Sequence, residues 1–277
     1  NSDVFQGGSN NAATVSQEGS STSLVDQSGS RNRAFATQDG ATNDSFIQQI
    51  SDGAVARVTQ TGNGNDSDVT QSSAEAPAFT EWQGDGAAIR SARAEISQIG
   101  NSNESTVIQS GVGNYVLLAQ GKTGDAGNSN KSTILQSGNS TFADVEQTGD
   151  SNRSNLDQRG RLVNLESGGF SRIVQSGDRN QSDILQTGNG SVFQGPGNSV
   201  DSLQSGDDNI SVVTQGGLDN KVELIQAGDN NNSLITQGAG SLNVADVAQY
   251  SSGNFSTVTQ NGSTSTATVT QGTPGGI

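Results

Sequence analysis

Counted from one glutamine to the next, the chain returns to itself about every eleven residues. In the stretch NISVVTQGGLDNKVELIQAGDNNNSLITQ the unit Asn-x-(Ser or Val)-x-(Val, Leu or Ile)-x-Gln-x-Gly opens at Asn209, Asn220 and Asn231 and closes at Gln215, Gln226 and Gln237. A short fixed period means stacked supersecondary units, because each is too small to bury its own apolar face.

With the closing Gln as position zero, the ladder runs through Gln6, Gln17, Gln27, Gln38, Gln49, Gln60, Gln71, Gln83, Gln98, Gln109, Gln120 and Gln136. It continues through Gln147, Gln158, Gln175, Gln186, Gln194, Gln204, Gln215, Gln226, Gln237, Gln249, Gln260 and Gln271. Position minus two is aliphatic almost throughout, from Val4 to Val269; Ala36, Glu81 and Ser202 are the exceptions. Position minus six is commonly Asn: Asn11, Asn32, Asn43, Asn65, Asn103, Asn114, Asn130, Asn152, Asn180, Asn198, Asn209, Asn220, Asn231, Asn243 and Asn254. Positions minus six, minus four, minus two and zero share one parity, which is the signature of a strand. The linking Gln-x-Gly-x-x-Asn has the residues that turns with positive φ require. Strand and tight turn therefore alternate along the chain.

Position minus four alternates small-polar with apolar, as in Ser2, Ala13, Ser23, Ala34, Ser45, Ala56 and, near the other end, Ser233, Ala245, Ser256, Ala267. The true repeat is thus about 22 residues, two unlike strands joined by a turn, here called a rung. Spacing is irregular near residues 72–97, 121–131, 159–171 and 187–200. Two of these stretches hold degenerate units, Val163-x-Leu165-x-Ser167-x-Gly169 and Ala87-x-Ile89-x-Ser91. With both included the alternation keeps its phase, apart from Ser182 and Gly190, and the expected count is about thirteen rungs. None of the breaks reads as a domain boundary, so the expectation is a single all-β solenoid over residues 1–277, a cross-β column roughly 60 Å long at ~4.8 Å per rung.

Composition says what holds such a column together. Apolar residues are 29% of the chain and aromatics 4%, with 37 glycines, well below the ~45–50% apolar content of ordinary domains. Cysteine, histidine and methionine are absent, which removes disulfides, thiolate and imidazole chemistry and soft metal ligands. No cofactor is expected. A net charge of −15 repels nucleic acid and anionic membrane surfaces. No apolar run is long enough to insert in a bilayer. The repeat begins at once with Ser2, Val4 and Gln6, so an export signal is expected to lie outside this numbering.

One rung alone cannot fold. Two buried aliphatic side chains contribute ~3–6 kcal/mol, against ~20–40 kcal/mol of backbone entropy for 22 residues. Stacking in register lets every strand pair above and below and lets Gln amides hydrogen-bond along the axis, Asn amides likewise. Unpaired edges at the two ends are then the functional feature. Ser2, Val4 and Gln6 at one end, with Ala267, Val269 and Gln271 at the other, are the candidate polymerisation edges, joined head to tail between copies.

Asn11-x-Ala13-x-Val15-x-Gln17 and Asn243-x-Ala245-x-Val247-x-Gln249, with Gln-x-Gly-x-x-Asn linking units as at Gln147 to Asn152, resemble the curlin repeat of bacterial curli subunits. The resemblance covers nearly the whole chain, although many units place Ser two residues after Asn and the rungs are unusually numerous. It implies a secreted functional amyloid at the cell surface, used in biofilm matrix and adhesion, with a nucleator subunit and an outer-membrane secretion channel as partners.

Other readings fit the residues less well. Asp150, Asp178, Asp207, Asp208 and Asp229 suggest calcium, but calcium solenoids repeat at nine residues with more Asp, so turn chemistry is preferred. Glu81 and Asp85 lack the convergent polar groups that acid–base catalysis needs. Thr-x-Thr pairs at Thr257 with Thr259 and Thr268 with Thr270 are too scattered for an ice-binding face. Outward Ile108, Leu135, Val174, Leu185, Leu203 and Ile225 are expected to form a lateral patch. A monomeric solenoid binding ice, glycan or calcium remains the alternative, separated from a fibre subunit by whether the pure chain forms seedable filaments.

Overall fold

A computed structural model describes residues 1–72, 92–124, 127–159, 169–188 and 197–273. Over these the chain forms 22 strands in two parallel sheets of eleven, with no helix. One sheet holds β1 (Ser2–Gln6), β3 (Thr22–Ser28), β5 (Asp44–Ile50), β7 (Asp66–Gln71), β9 (Glu104–Gln109), β11 (Lys131–Gln136), β13 (Arg153–Gln158), β15 (Gln181–Gln186), β17 (Ile210–Gln215), β19 (Asn232–Gln237) and β21 (Phe255–Gln260). The facing sheet holds β2 (Ala12–Glu18), β4 (Arg33–Asp39), β6 (Val55–Thr61), β8 (Arg93–Ile99), β10 (Tyr115–Gln120), β12 (Phe142–Thr148), β14 (Phe170–Ser176), β16 (Ser199–Ser205), β18 (Lys221–Ala227), β20 (Val244–Gln249) and β22 (Thr266–Gln271). Each strand pairs with the strand two further along, so one rung is an odd strand and the even strand that follows it. The fold is a β-solenoid.

Register follows the repeat residue by residue. Between β3 and β5 Ser23 lies over Ser45, Val25 over Ile47 and Gln27 over Gln49. Inward parity is set by the aliphatic position: Val25, Ile47, Val69, Val107 and Ile134 on one sheet, with Val58, Leu118, Val145 and Ile173 on the other, are essentially inaccessible. Each such side chain contributes ~1.5–3 kcal/mol. A slip of one residue would turn the whole set outward, which is why the register is fixed.

The described residues form eleven paired rungs, where about thirteen are expected of the whole chain. β6 pairs directly with β8, Val55 over Arg93, and β7 with β9, Asp66 over Glu104. β12 pairs with β14, β13 with β15, β14 with β16 and β15 with β17. Among the described residues no strand lies between the two partners at these junctions. The units at Gln83, Ala87–Ser91, Val163–Gly169 and Gln194 fall almost wholly outside the described residues.

Among the described strands the alternation is cleaner than the sequence suggests. Position minus four is Ser on every odd strand, Ser182 included, and Ala or Val on every even strand except β14, which carries Ser171. That hydroxyl is used: it accepts from Gln158 Nε2 at 3.2 Å and donates to Gln186 Oε1 at 3.0 Å, tying the two sheets together.

Ser202 is the other irregularity of the core. It stands in the aliphatic column of β16 between Ile173 and Leu224, with its Oγ 3.4 Å from Ser211 Oγ on the facing sheet. Ser211 is independently bonded to Ser182 at 2.9 Å, so losing Ser202 orphans nothing. Ser202→Val should raise stability by about 1–2 kcal/mol, read as an upward shift of the urea midpoint of freshly desalted chain. A lower midpoint would mean that the three hydroxyls stabilise the core as a unit.

Candidate functional site: amide ladders and the ends of the stack

Glutamine closes every described strand pair, and its amide makes two kinds of bond. Along the axis, Nε2 of one rung donates to Oε1 of the next. Gln6, Gln27, Gln49, Gln71, Gln109, Gln136, Gln158, Gln186, Gln215, Gln237 and Gln260 form one unbroken column at 2.7–2.9 Å. Gln17, Gln38, Gln60, Gln98, Gln120, Gln147, Gln175, Gln204, Gln226, Gln249 and Gln271 form the second at 2.6–3.0 Å. Across the core, the remaining N–H donates to a backbone carbonyl of the facing sheet, as in Gln109 to Arg93 O at 3.0 Å and Gln120 to Glu104 O at 3.0 Å. Sequence periodicity implies the axial bond. The crossing bond was missed, and no residue pattern marks it, since its acceptor is main chain.

Asparagine does something different from the axial amide pairing expected of it. Its shorter side chain reaches only the turn backbone, chiefly that of the next rung. Asn65 Nδ2 bonds Gly100 O in the turn above at 2.9 Å, and its Oδ1 accepts the backbone N–H of Asn103 at 3.1 Å. Asn32, Asn43, Asn103, Asn130, Asn152, Asn180 and Asn209 repeat the clamp. Direct amide-to-amide bonds are few, as from Asn209 to Asn180 at 3.0 Å and from Asn254 to Asn231 at 3.0 Å. The asparagines also divide between the two edges. Asn43, Asn65, Asn103, Asn130, Asn152, Asn180, Asn209, Asn231 and Asn254 precede odd strands. Asn11, Asn32, Asn114, Asn198, Asn220 and Asn243 precede even strands, where Ala54, Ala92, Thr141 and Gly169 interrupt the column.

The residue before the clamp is left-handed, including Asn10, Arg31, Thr42, Asp208 and Leu242 at φ 57–60°. Its signal was present in the sequence: Gly53, Gly64, Gly113, Gly197 and Gly253 occupy the same place.

The turn aspartates act as turn chemistry. Asp150, Asp178, Asp207 and Asp229 each accept a backbone N–H from the preceding rung, from Asn128, Asp150, Asp178 and Asp207, at 2.8–2.9 Å. Asp208 instead takes two bonds from Arg179 at 2.7 Å, which hold its carboxyl below the usual range. Among the described residues no cluster is placed to hold a metal ion.

Stacking in register also places like charges together. Asp44, Asp66 and Glu104 lie one above the other on β5, β7 and β9, with Asp68 beside Asp66. Loss of hydration between the strands raises the Asp66 carboxyl above its ordinary value, and the charges of Asp68, Asp44 and Glu104 add to it. Asp68 is raised for the same reason, with Asp44 and Glu104 as the neighbouring charges. A carboxylate raised in the folded state is a penalty above its folded pKa that disappears as protons bind. Stability should therefore rise as pH falls from 7 toward the carboxylate range, and Asp66→Asn should be more stable than the parent at pH 7 and equal to it near pH 4. Melting both proteins across that window checks the sign; a parent that loses stability steadily from pH 7 downward would contradict it.

The six outward apolar residues do not make one patch. Ile108, Leu135 and Leu185 lie on odd strands and Val174, Leu203 and Ile225 on even strands, on opposite faces of the slab. At the ends, β1 pairs only with β3 and β22 only with β20. Val4 is 44% exposed where Val25 above it is buried, and Ala267 and Val269 pack against the core only partly.

A search of curated proteins finds no match to this chain. The family model of the Curlin associated repeat matches it three times, at residues 24–50, 127–160 and 217–250. These segments lie in the early, middle and late parts of a stack whose strands, turns and amide columns follow one pattern, and in each of them the chain carries the curlin repeat.

Proposed function

We propose that this protein is a structural subunit of an extracellular, curli-like amyloid fibre and that it polymerises head to tail by continuing its own stack. The observation that carries this is the match between the two ends. β1 and β2 offer Ser2, Val4 and Gln6 with Ala13, Val15 and Gln17. β21 and β22 offer Ser256, Val258 and Gln260 with Ala267, Val269 and Gln271, the same residue types at the same positions. Both Gln columns donate toward the C-terminal end, so a copy added there meets donors with the acceptors Gln6 Oε1 and Gln17 Oε1. The opposite polarity would set donor against donor there. Surface attachment, biofilm matrix and adhesion, with a nucleator and a secretion channel, are the roles that the curlin resemblance adds.

Outward residues send their backbone N–H to the next rung, as Val244 N does to Ser265 O at 2.8 Å and Tyr250 N to Gln271 O at 2.9 Å. By that alternation Thr268 N–H points to the free side of β22. Thr268→Pro removes it while leaving the bonds to β20 in place. Seeded elongation should slow about tenfold, and Thr268→Ala, which keeps the N–H, should elongate normally. Equal rates for the two variants would show that growth does not pass through β22.

A further inference from the structure

We infer that copies also pair side by side, in parallel, the outer face of the odd sheet of one on the outer face of the even sheet of the next. This rests on the fibre reading above. Three features of the middle rungs carry it. First, the even sheet bears an aromatic ridge: Tyr115, Phe142 and Phe170 stack on successive strands, the last two rings parallel at 5.4 Å. Second, the odd sheet bears a groove of ≈ 470 Å³, whose lining includes Leu135, Leu185, Val212 and Asp157. Ridge and groove lie along the same edge, because Gln136, Gln158 and Gln186 close β11, β13 and β15 by bonding the backbone carbonyls of Tyr115, Phe142 and Phe170. A copy displaced sideways without rotation therefore brings its ridge to its neighbour's groove at overlapping height. Asp157, inside the groove, is already neutralised by Arg159.

Third, charge matches along the other edge. Arg153 begins β13 on the odd face, exposed and without an ion pair among the described residues. Glu146 lies near the end of β12 on the even face, at the same edge one rung below. In one molecule these side chains stand on opposite faces of the slab. Between parallel neighbours they oppose each other, and aligned sheet packing at ~10 Å brings them within reach. The contact repeats by translation and does not close, so it yields ribbons of filaments.

Charge reversal tests this on the full chain, by electron microscopy of ribbon width with seeded elongation measured in parallel. Arg153→Glu should give mostly single filaments, and so should Glu146→Arg, each elongating within about twofold of the parent. The double variant R153E/E146R should restore ribbons, because the pair can meet only between copies. Phe142→Ser with Phe170→Ser should also give single filaments. Parent filaments that stay single, or ribbons unaffected by either charge reversal, would overturn the lateral pairing alone. A parent chain that forms no filaments would overturn both this and the fibre reading.

Discussion

Gln109→Glu should cost about 3–5 kcal/mol at pH 7 and much less near pH 4. Gln109 is fully buried. It accepts from Gln71 Nε2 at 2.8 Å and donates to Gln136 Oε1 at 2.9 Å and to Arg93 O at 3.0 Å. Glutamate fills the same volume and keeps the accepted bond. It loses both donors, and its carboxylate then faces two oxygens at bonding distance. An uncompensated buried charge costs ~3–5 kcal/mol, and each orphaned acceptor adds ~1–3 kcal/mol if the charge is avoided by rearrangement. The carboxyl responds by holding its proton, so its folded pKa lies above the unfolded value. The sign follows: the variant recovers stability as pH falls and loses it as pH rises through that pKa. Urea midpoints of variant and parent at pH 7.5 and pH 4.5 read it, the parent cancelling the contribution of the Asp66 column. A deficit equal at both pH values would mean that the ladder tolerates a charge.

Gly62→Ala should cost about 3 kcal/mol or more, and Gly124→Ala only about 1 kcal/mol. Gly62 has φ +114°, a backbone region that side chains rarely enter. A methyl there would stand 2.0 Å from Gly100 O and 2.8 Å from its carbonyl carbon. Both obstacles are main chain of the rung above, so no rotamer change relieves them. Moving them breaks the bonds that hold the turn stack, from Gly62 N to Asp39 O at 2.9 Å and from Gly100 N to Thr61 O at 2.9 Å. Gly124, at φ +90°, has nothing within 4 Å of a new methyl, so it registers the backbone term alone. Loss of amide-exchange protection in β6 and β8 in the Gly62 variant would locate the damage at that turn. Equal midpoints for the two variants would mean that turn stacking contributes nothing.

These two positions also divide what the sequence tells from what it hides. Strand parity, turn glycine and the closing Gln recur, and recurrence is legible because stacked identical environments select identical residues. Where neighbours in space are unlike, the text is silent. The acceptor of the second Gln109 bond is a backbone carbonyl, which leaves no residue signature. The clamp made by Asn65 depends on reach: one methylene fewer than Gln confines it to the turn. The two degenerate units of the rung count, Ala87–Ser91 and Val163–Gly169, lie almost wholly outside the described residues, and the amide column pairs Gln71 with Gln109 and Gln158 with Gln186 directly. The outward apolar residues looked like one patch because a linear reading does not separate odd from even strands.

The axial rise per chain in the filament, measured by cryo-electron microscopy, is the most direct test of head-to-tail stacking. The eleven rungs of the described residues, at ~4.8 Å each, give an expected rise of about 53 Å per chain, with strand spacing continuous through the joint between β22 of one copy and β2 of the next. A rise of one strand spacing per chain, as in a fibril where each molecule lies flat in a single layer, would contradict it.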